Sequence, residues 1–595
     1  MIRNSIFIVG ASFKASPVCG ALVALFSIAF ACVPAAQVLL MASLIEELGT
    51  DNATYQTIAP QIASIIVLVG LVSSLRTVRD FIAEIVQLET GATLQGQLAD
   101  RTAKLEPHEI ATEDLASEIE GHSRAIVDHI SRVYGDALMA VESILGAIGV
   151  VIALANYSLA AAGLTVLTII PAVTIGVYIS RAHKRMWLLL GKIYRRERYL
   201  RETLGSRSAL LELTSFGTVD RIGELEKEAQ ARICEVRKGP IRAGLQATGI
   251  AAAVNGTLFA LAIGAVFLGV GFTPVATAAV YGVFGAVNAV ATGGSKIALL
   301  VQYGPTVASL VVFLSRPVPP QVSRFASEEA GPIETLEVRD LTLFYPESSR
   351  PAVREASLSL SRGEMIAIVG RNGAGKTTLL NGLLGMLPIA GGRVLVNGRP
   401  VAPAAQDWWL SNFGAMAQDF GKYELTVSQS VALGRSGGAT DSEVMDALRS
   451  ARAEDFVDGL GQGVSTQLGE VWGGVGLSGG QWQRLALARV YLRNADIWVL
   501  DEPSSAIDAE TEVEIFDELR RSRKERATIV VSHRAWTLRE MERIYVMEAG
   551  QIVEAGSFEE LLSREGYFAR LFREQTLERE RPSAPVVDMQ SSTES

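Results

Sequence analysis

The chain has 595 residues, too many for one hydrophobic core, so several domains are expected. A mean hydropathy of +0.27, with the apolar residues crowded into roughly the first 315 positions, excludes a wholly soluble protein. A net charge of −10 without a basic run argues against nucleic acid as a partner, and three cysteines (Cys19, Cys32, Cys234) with no C-x-x-C give neither a disulfide framework nor a zinc site.

Residues 17–45, 57–81, 133–156, 159–180, 244–271 and 275–304 are each long and apolar enough for a membrane span. Arg3 and Lys14 with the small Ala35–Ala36 pair resemble a signal peptide, but the apolar stretch runs on to Ile45, longer than a signal core, and is read as a retained span. The connections at Glu46–Gln56, Asn156–Ser158 and Gly271–Thr273 lack Lys and Arg, whereas residues 76–132 and 181–242 hold many, among them Arg76, Arg79, Arg181, Lys184, Arg185, Arg195 and Arg196. The positive-inside rule then places both termini in the cytoplasm. The two basic connections have few helix breakers and are each long enough for two helical extensions and a turn, suited to contact with a second domain. Glu142 falls within the third span, about fourteen residues or ~21 Å from its outer end. Facing lipid would cost roughly 2.5–3.5 kcal/mol or more, so the carboxylate should face the bundle, either lining a cargo cavity or paired with a neighbouring helix.

A Pro-rich linker, 316–332, leads to short β-type runs and amphipathic helices, the pattern of an α/β domain over 333–577; a polar tail, 578–595, is read as disordered. Tyr345 is an aromatic that either packs or stacks on a base. Residues Gly370-Arg371-Asn372-Gly373-Ala374-Gly375-Lys376-Thr377-Thr378 lie between an apolar run, Met365–Val369, and a helical one, Thr378–Leu384. Strand, glycine-rich turn and helix N-terminus together cradle phosphates, with Lys376 as a point charge and Thr377 as a hydroxyl for Mg²⁺. Gln418 follows Gly414–Ala417. Leu477-Ser478-Gly479-Gly480-Gln481 opens a second helix, Trp482–Leu492, and reads as a second anion site or as a helix cap. The run Ile497–Leu500 ends in Asp501-Glu502-Pro503, where one acid suits Mg²⁺ and the next can take a proton from water. Ser532-His533-Arg534 follows the run Thr528–Val531 and puts an imidazole at a strand end; His108, His122, His129 and His183 are read as surface residues.

In this order and spacing the motifs resemble the ATP-binding cassette (ABC) exporters of the half-transporter kind, over nearly the whole chain. The resemblance implies a membrane α-helical bundle (1–315) of six transmembrane helices with long cytoplasmic extensions, then an α/β P-loop nucleotide-binding domain. It implies ATP contacts at Tyr345, residues 370–378 and Ser478–Gln481, and Mg²⁺ at Thr377, Gln418 and Asp501. It makes Glu502 the catalytic base, His533 the γ-phosphate switch and Gln418 the link between Mg²⁺ and the membrane hairpins. Ser505–Asp508 would be the dimer-contact loop, and segments near Glu113–Glu120 and Gly205–Phe216 resemble coupling helices. Ile507 stands where the family usually has Leu, and Leu468–Gly474 carries extra residues. No peptidase domain precedes the first span, which argues against a carrier that trims a leader. Residues 481–484 and 418–420 resemble cassettes of bacterial peptide export. The expectation is ATP-driven export of an amphipathic small molecule or peptide from a bacterial plasma membrane, by a dimer of this chain or with a second half-transporter. The rivals are an importer on an exporter fold, with a siderophore-like cargo, and a non-transporting, ATP-gated membrane regulator.

Overall fold

The structure, a computed structural model, describes residues 2–48, 54–105, 113–271, 273–316, 332–345, 348–401, 406–504 and 507–572. Most of the linker and the whole tail lie outside the described residues. Two compact units form, Met1–Lys104 with Ala116–Pro317, and Leu105–Leu115 with Val318–Ser595.

The first unit is helical throughout its described residues. Six helical stretches are long and apolar enough to cross a membrane: Pro17–Leu48, Ile58–Thr102, Leu115–Ala155, Leu159–Ile179, Val219–Val270 and Ala276–Leu314. A helix not anticipated from the sequence, Ile2–Ala15, precedes the first. The first stretch is interrupted at Cys32, and Pro34, just beyond, has no N–H to continue the ladder to Phe30. The helix Tyr55–Thr102 has 48 residues, about 72 Å, more than twice the ~30 Å hydrocarbon layer. Its overhang and the helix Glu113–Asp128 make the first extended hairpin. The second consists of Ile169–Gly205, the nine-residue helix Arg207–Ser215 and Val219–Val270. Pro60, Pro240 and Pro305 lie inside long helices.

Glu142 has a partner. Its carboxylate accepts from the Arg79 guanidinium, and Arg76 stands 3.6 Å away. Both guanidiniums lie over the Phe30 ring, 5.7 and 5.5 Å from its centre. Of the two readings of Glu142, the interhelical pair is the one observed. On another face of the same helix Asp136 accepts from Lys296 at 2.6 Å, so this span is tied to the second by Glu142 and to the sixth by Asp136. The expectation that His122 and His129 are surface residues needs correction. His122 is 4 % exposed and 5.5 Å from the Phe313 ring, and His129 stacks on Tyr303 at 5.0 Å. Leu115, His122 and Ile126 fall on one face of their helix at spacings of seven and four, and that face is the buried one.

The second unit has two sheets. The strands are β1 (Thr335–Leu343), β2 (Val353–Ser361), β3 (Met365–Val369), β4 (Ile389–Val396), β5 (Arg399–Val401), β6 (Phe413–Met416), β7 (Ile497–Asp501), β8 (Ala527–Val531), β9 (Arg543–Glu548) and β10 (Gln551–Gly556). An antiparallel sheet has the order β2-β1-β4-β5, and a larger one has the order β10-β9-β3-β8-β7-β6, parallel from β9 to β6. The larger sheet's central strands β3, β7 and β8 are buried on both faces, which is why they read as nearly unbroken apolar runs. In β3 the odd residues Met365, Ala367 and Val369 enter one core while Ile366 and Ile368 enter the other. With both faces occupied, chemistry is confined to the edge where parallel strands end. The loops after β3, β6, β7 and β8 all leave that edge.

The Arg79–Glu142 pair can be tested by deletion. Arg79→Leu removes the nearer cation and leaves the Glu142 carboxylate only Arg76, 3.6 Å away, and is expected to cost about 3 kcal/mol, lowering the detergent melting temperature. Arg79→Leu with Glu142→Leu should lose much less. Equal losses in the single and double variants would show that the pair is not what the helices depend on.

Candidate functional site

At the end of β3 the chain turns so tightly that a side chain on Gly370 would put its Cβ 2.3 Å from the Met547 carbonyl oxygen. Gly375 has φ +101°, in the region that L side chains avoid, and caps the helix Lys376–Leu383 without a side-chain acceptor. The first N–H groups of that helix are therefore left for an anion. Lys376 is only 8 % exposed; its Nζ donates to the carbonyls of Gly370 at 2.7 Å and Arg371 at 3.3 Å. Burial pulls the Lys376 ammonium below the ordinary lysine range, against the pull of Asp501 and Glu502. Gly370, Arg371, Asn372 and His533, with Leu571 and Phe572, line an open cleft of about 540 Å³. Within the loop, Ala374 is buried, and its N–H donates to the Arg371 carbonyl at 3.0 Å. Gly373 takes φ +81°. Thr378 shares a 3.0 Å hydrogen bond with the Tyr345 hydroxyl, and Tyr345 is 47 % exposed, so the ring is tethered by its tip with area left to stack.

Thr377 donates its hydroxyl to Asp501 Oδ2 at 3.0 Å. Asp501 ends β7 and is 3 % exposed, and burial is the leading reason its carboxyl titrates above the ordinary aspartate range. A hydroxyl and a carboxylate oxygen, both hard donors, fit Mg²⁺ and its water shell. Gln418 is exposed two residues past the end of β6. Met416 pairs with Leu500, so Gln418 and Asp501 leave adjacent strand ends at the same edge.

Glu502 has φ +51°, a left-handed backbone that non-glycine residues rarely adopt, at a cost of about 1–3 kcal/mol. Two bonds hold it there. Its N–H donates to Val531 at 3.1 Å, and its carbonyl accepts from Gln483 Nε2 at 2.9 Å. The side chain is thereby aimed at His533, with Glu502 Oε1 3.2 Å from His533 Nε2. Burial first, and then the Lys376 charge, lowers the His533 pKa, so at neutral pH the imidazole is neutral. Sequence reading gave Gln483 no role in this site. Its signal was available, as a polar side chain fully buried on a helix that also buries Leu485, Ala486 and Leu487.

Ser478 caps the helix Gly479–Arg493 in a capping box, its hydroxyl accepting from Gln481 N at 3.3 Å and its N–H donating to Gln481 Oε1 at 2.8 Å. The cap is thus present, and it leaves the Gly479 and Gly480 N–H groups at the helix N-terminus. None of Ser478–Gln481 lines the cleft at the phosphate loop. Asp508 caps the helix Ala509–Ser522, while Ser505 and Ala506 lie outside the described residues. The extra residues before Ser478 make a 3₁₀ turn, Glu470–Trp472, with the Trp472 indole donating to Glu424 at 3.0 Å.

The raised Asp501 carboxyl has a consequence for stability. The folded, nucleotide-free protein holds this proton more tightly than the unfolded chain. The group's contribution is fully present at low pH and is lost as pH rises through the folded value. Asp501→Asn removes the buried charge, so it should raise the nucleotide-free melting temperature more at about pH 8 than at about pH 4, a gain measurable by thermal scans. A gain that is independent of pH would mean that burial of the charge is not its source.

A sequence profile described as ABC transporter matches residues 353–505. A protein of Methylobacillus flagellatus named ATP-dependent lipid A-core flippase is 40 % identical over 249 residues, 42 % of this chain and 42 % of that one. A Staphylococcus aureus protein named for multidrug export is 36 % identical over 42 % of this chain and 43 % of its own. The matched stretch thus spans less than half of either relative. In fold, the solved structure of a bacterial Atm1-family ABC exporter with ATP bound superposes with a TM-score of 0.77 at 20 % identity, covering 94 % of this chain and 99 % of that one. Six apolar helices of spanning length thus stand ahead of one phosphate-binding α/β domain, residues 353–505 match the ABC transporter domain, and the chain as a whole has the fold of an ABC exporter.

Proposed function

We propose that the protein is an ATP-driven exporter of the bacterial inner membrane, working as a dimer of this chain with both termini in the cytoplasm. The observation that carries the reading is the placing of Thr377–Asp501 and Glu502–His533 beside one phosphate loop. Lys376 and the N–H groups of residues 370–378 take the β- and γ-phosphates, and Tyr345 takes the adenine face. Thr377, Asp501 and Gln418 would hold Mg²⁺, which would supply charge to offset that of the phosphates. Water attacks the γ-phosphorus in line, the bond to the β–γ bridging oxygen breaks, and the water's proton passes to Glu502, giving ADP and phosphate. Neutral His533 has a single N–H, given either to the γ-phosphate or to Glu502, and so senses which of them is present.

For cargo, an amphipathic molecule, lipid-like or peptide, is favoured. Relatives named for lipid A-core and for multidrugs match over less than half their length, so neither cargo is carried across. What supports an amphiphile is the membrane half itself, where Arg79 and Lys296 are matched by Glu142 and Asp136 rather than left as free charge.

Glu502→Gln keeps the shape of the side chain but cannot accept the proton. ATP binding should persist while turnover falls by roughly 10²-fold or more; near-normal hydrolysis would remove Glu502 from this role. A second test addresses the dimer. The resemblance to half-transporters implies that a second copy supplies Ser478–Gln481 to each site. A differently tagged mixed dimer of Lys376→Ala and Ser478→Arg chains then has one intact site and should trap one nucleotide with vanadate. Both mutant homodimers should trap none. Absence of trapping in the mixed dimer would mean that each site is built within one chain.

A further inference from the structure

An acid sits where no acid is expected. The helix Ala509–Ser522 buries Ile515, Phe516 and Leu519, and Glu512 continues the same stripe one turn earlier. It is 0 % exposed. A carboxylate this deeply buried needs partners, and the two it has come from two different loops. Ser504 Oγ donates to Glu512 Oε1 at 2.5 Å, and the Arg534 guanidinium pairs with Glu512 Oε2. The triangle closes where Arg534 Nη2 reaches the Ser504 carbonyl at 3.5 Å. A further bond, from Arg534 N to Ser532 Oγ at 3.2 Å, stiffens the loop that carries the arginine.

Ser504 lies two residues after Glu502, and Arg534 lies one residue after His533. The loops that Glu512 joins are therefore those that present Glu502 and His533 to each other at 3.2 Å. Adjacent strands fix the roots of these loops, Asp501 opposite Val531, but nothing in the ladder fixes their tips. We propose that Glu512, with Arg534 and Ser504, is a positioning network that holds Glu502 and His533 in register. Glu512 is fully enclosed, so it does not touch the nucleotide. Its effect runs through the two loops. The proposal rests on the hydrolytic roles given above to Glu502 and His533.

The test uses the full chain purified in detergent. Glu512→Gln keeps an acceptor for Ser504 and removes the ion pair; Arg534→Met removes it from the other side, and Arg534→Lys restores a cation. Glu512→Gln and Arg534→Met should each lower kcat about tenfold or more while KM for ATP moves less than about twofold, and Arg534→Lys should recover part of kcat. In a His533→Ala background, Glu512→Gln should cause little further loss, because the register it guards no longer has a second member. Ser504→Ala, which deletes one hydroxyl, carries the test if the charge variants do not fold; it should lower kcat severalfold at an unchanged KM. An unchanged kcat with only a lower melting temperature, or a full additional loss in the His533→Ala background, overturns the proposal and leaves a purely structural pair. Wild-type hydrolysis that survives Glu502→Gln would instead overturn the underlying reading.

Discussion

A buried ammonium organises the nucleotide-binding half. Lys376 has exchanged water for two carbonyls of its own loop, and the two nearest acids, Asp501 and Glu502, stand at the end of β7 rather than in contact with it. Such an arrangement is incomplete without an anion, because the loop presents donors and a cation while its carbonyls serve only as stand-ins. The sheet makes this possible. With β3 packed on both faces, the loop cannot retreat into the core, and the phosphate site is pinned at the strand ends. Asp501, Glu502 and His533 are fixed relative to Lys376 by the same parallel register.

What was legible in the sequence was local. The phosphate loop, the Ser478–Gln481 cap, the Asp501-Glu502 pair and His533 announce themselves because each needs particular residues within a few positions of one another. The six spans were legible for the same reason, as was the helical nature of the connections between them. Partners far apart in sequence were not. Glu142 could be assigned an inward direction from the cost of burial, yet nothing near it pointed to Arg79, 63 residues earlier. Gln483 and Glu512 were missed although both break the apolar face of an amphipathic helix, which is a readable signal. His122 and His129 were read as surface residues because the contact expected of their connection was with a second domain, whereas they meet rings of the sixth span.

The membrane half uses charge sparingly and in pairs. The span Leu115–Ala155 carries both Asp136 and Glu142, and each meets a cation on a different helix. In hydrocarbon such pairs give register more than net stability, because an apolar replacement of both members is often neutral while loss of one is costly. The stacking of Arg76 and Arg79 over Phe30 adds a third surface to the contact and ties in the first span at the point where its helix breaks.

Pro240 and Pro305 sit inside the fifth and sixth long helices. Each lacks an N–H, so the carbonyls of Val236 and Val301 have no helical donor. Both lie just outside the spans read at 244–271 and 275–304, at the cytoplasmic ends of those spans, and a continuous helix resists bending there because each bend strains a backbone bond. At these two places the bond is missing from the outset. A helix that flexes there gives up no hydrogen bond in either direction, so repeated bending and straightening can be nearly isoenergetic.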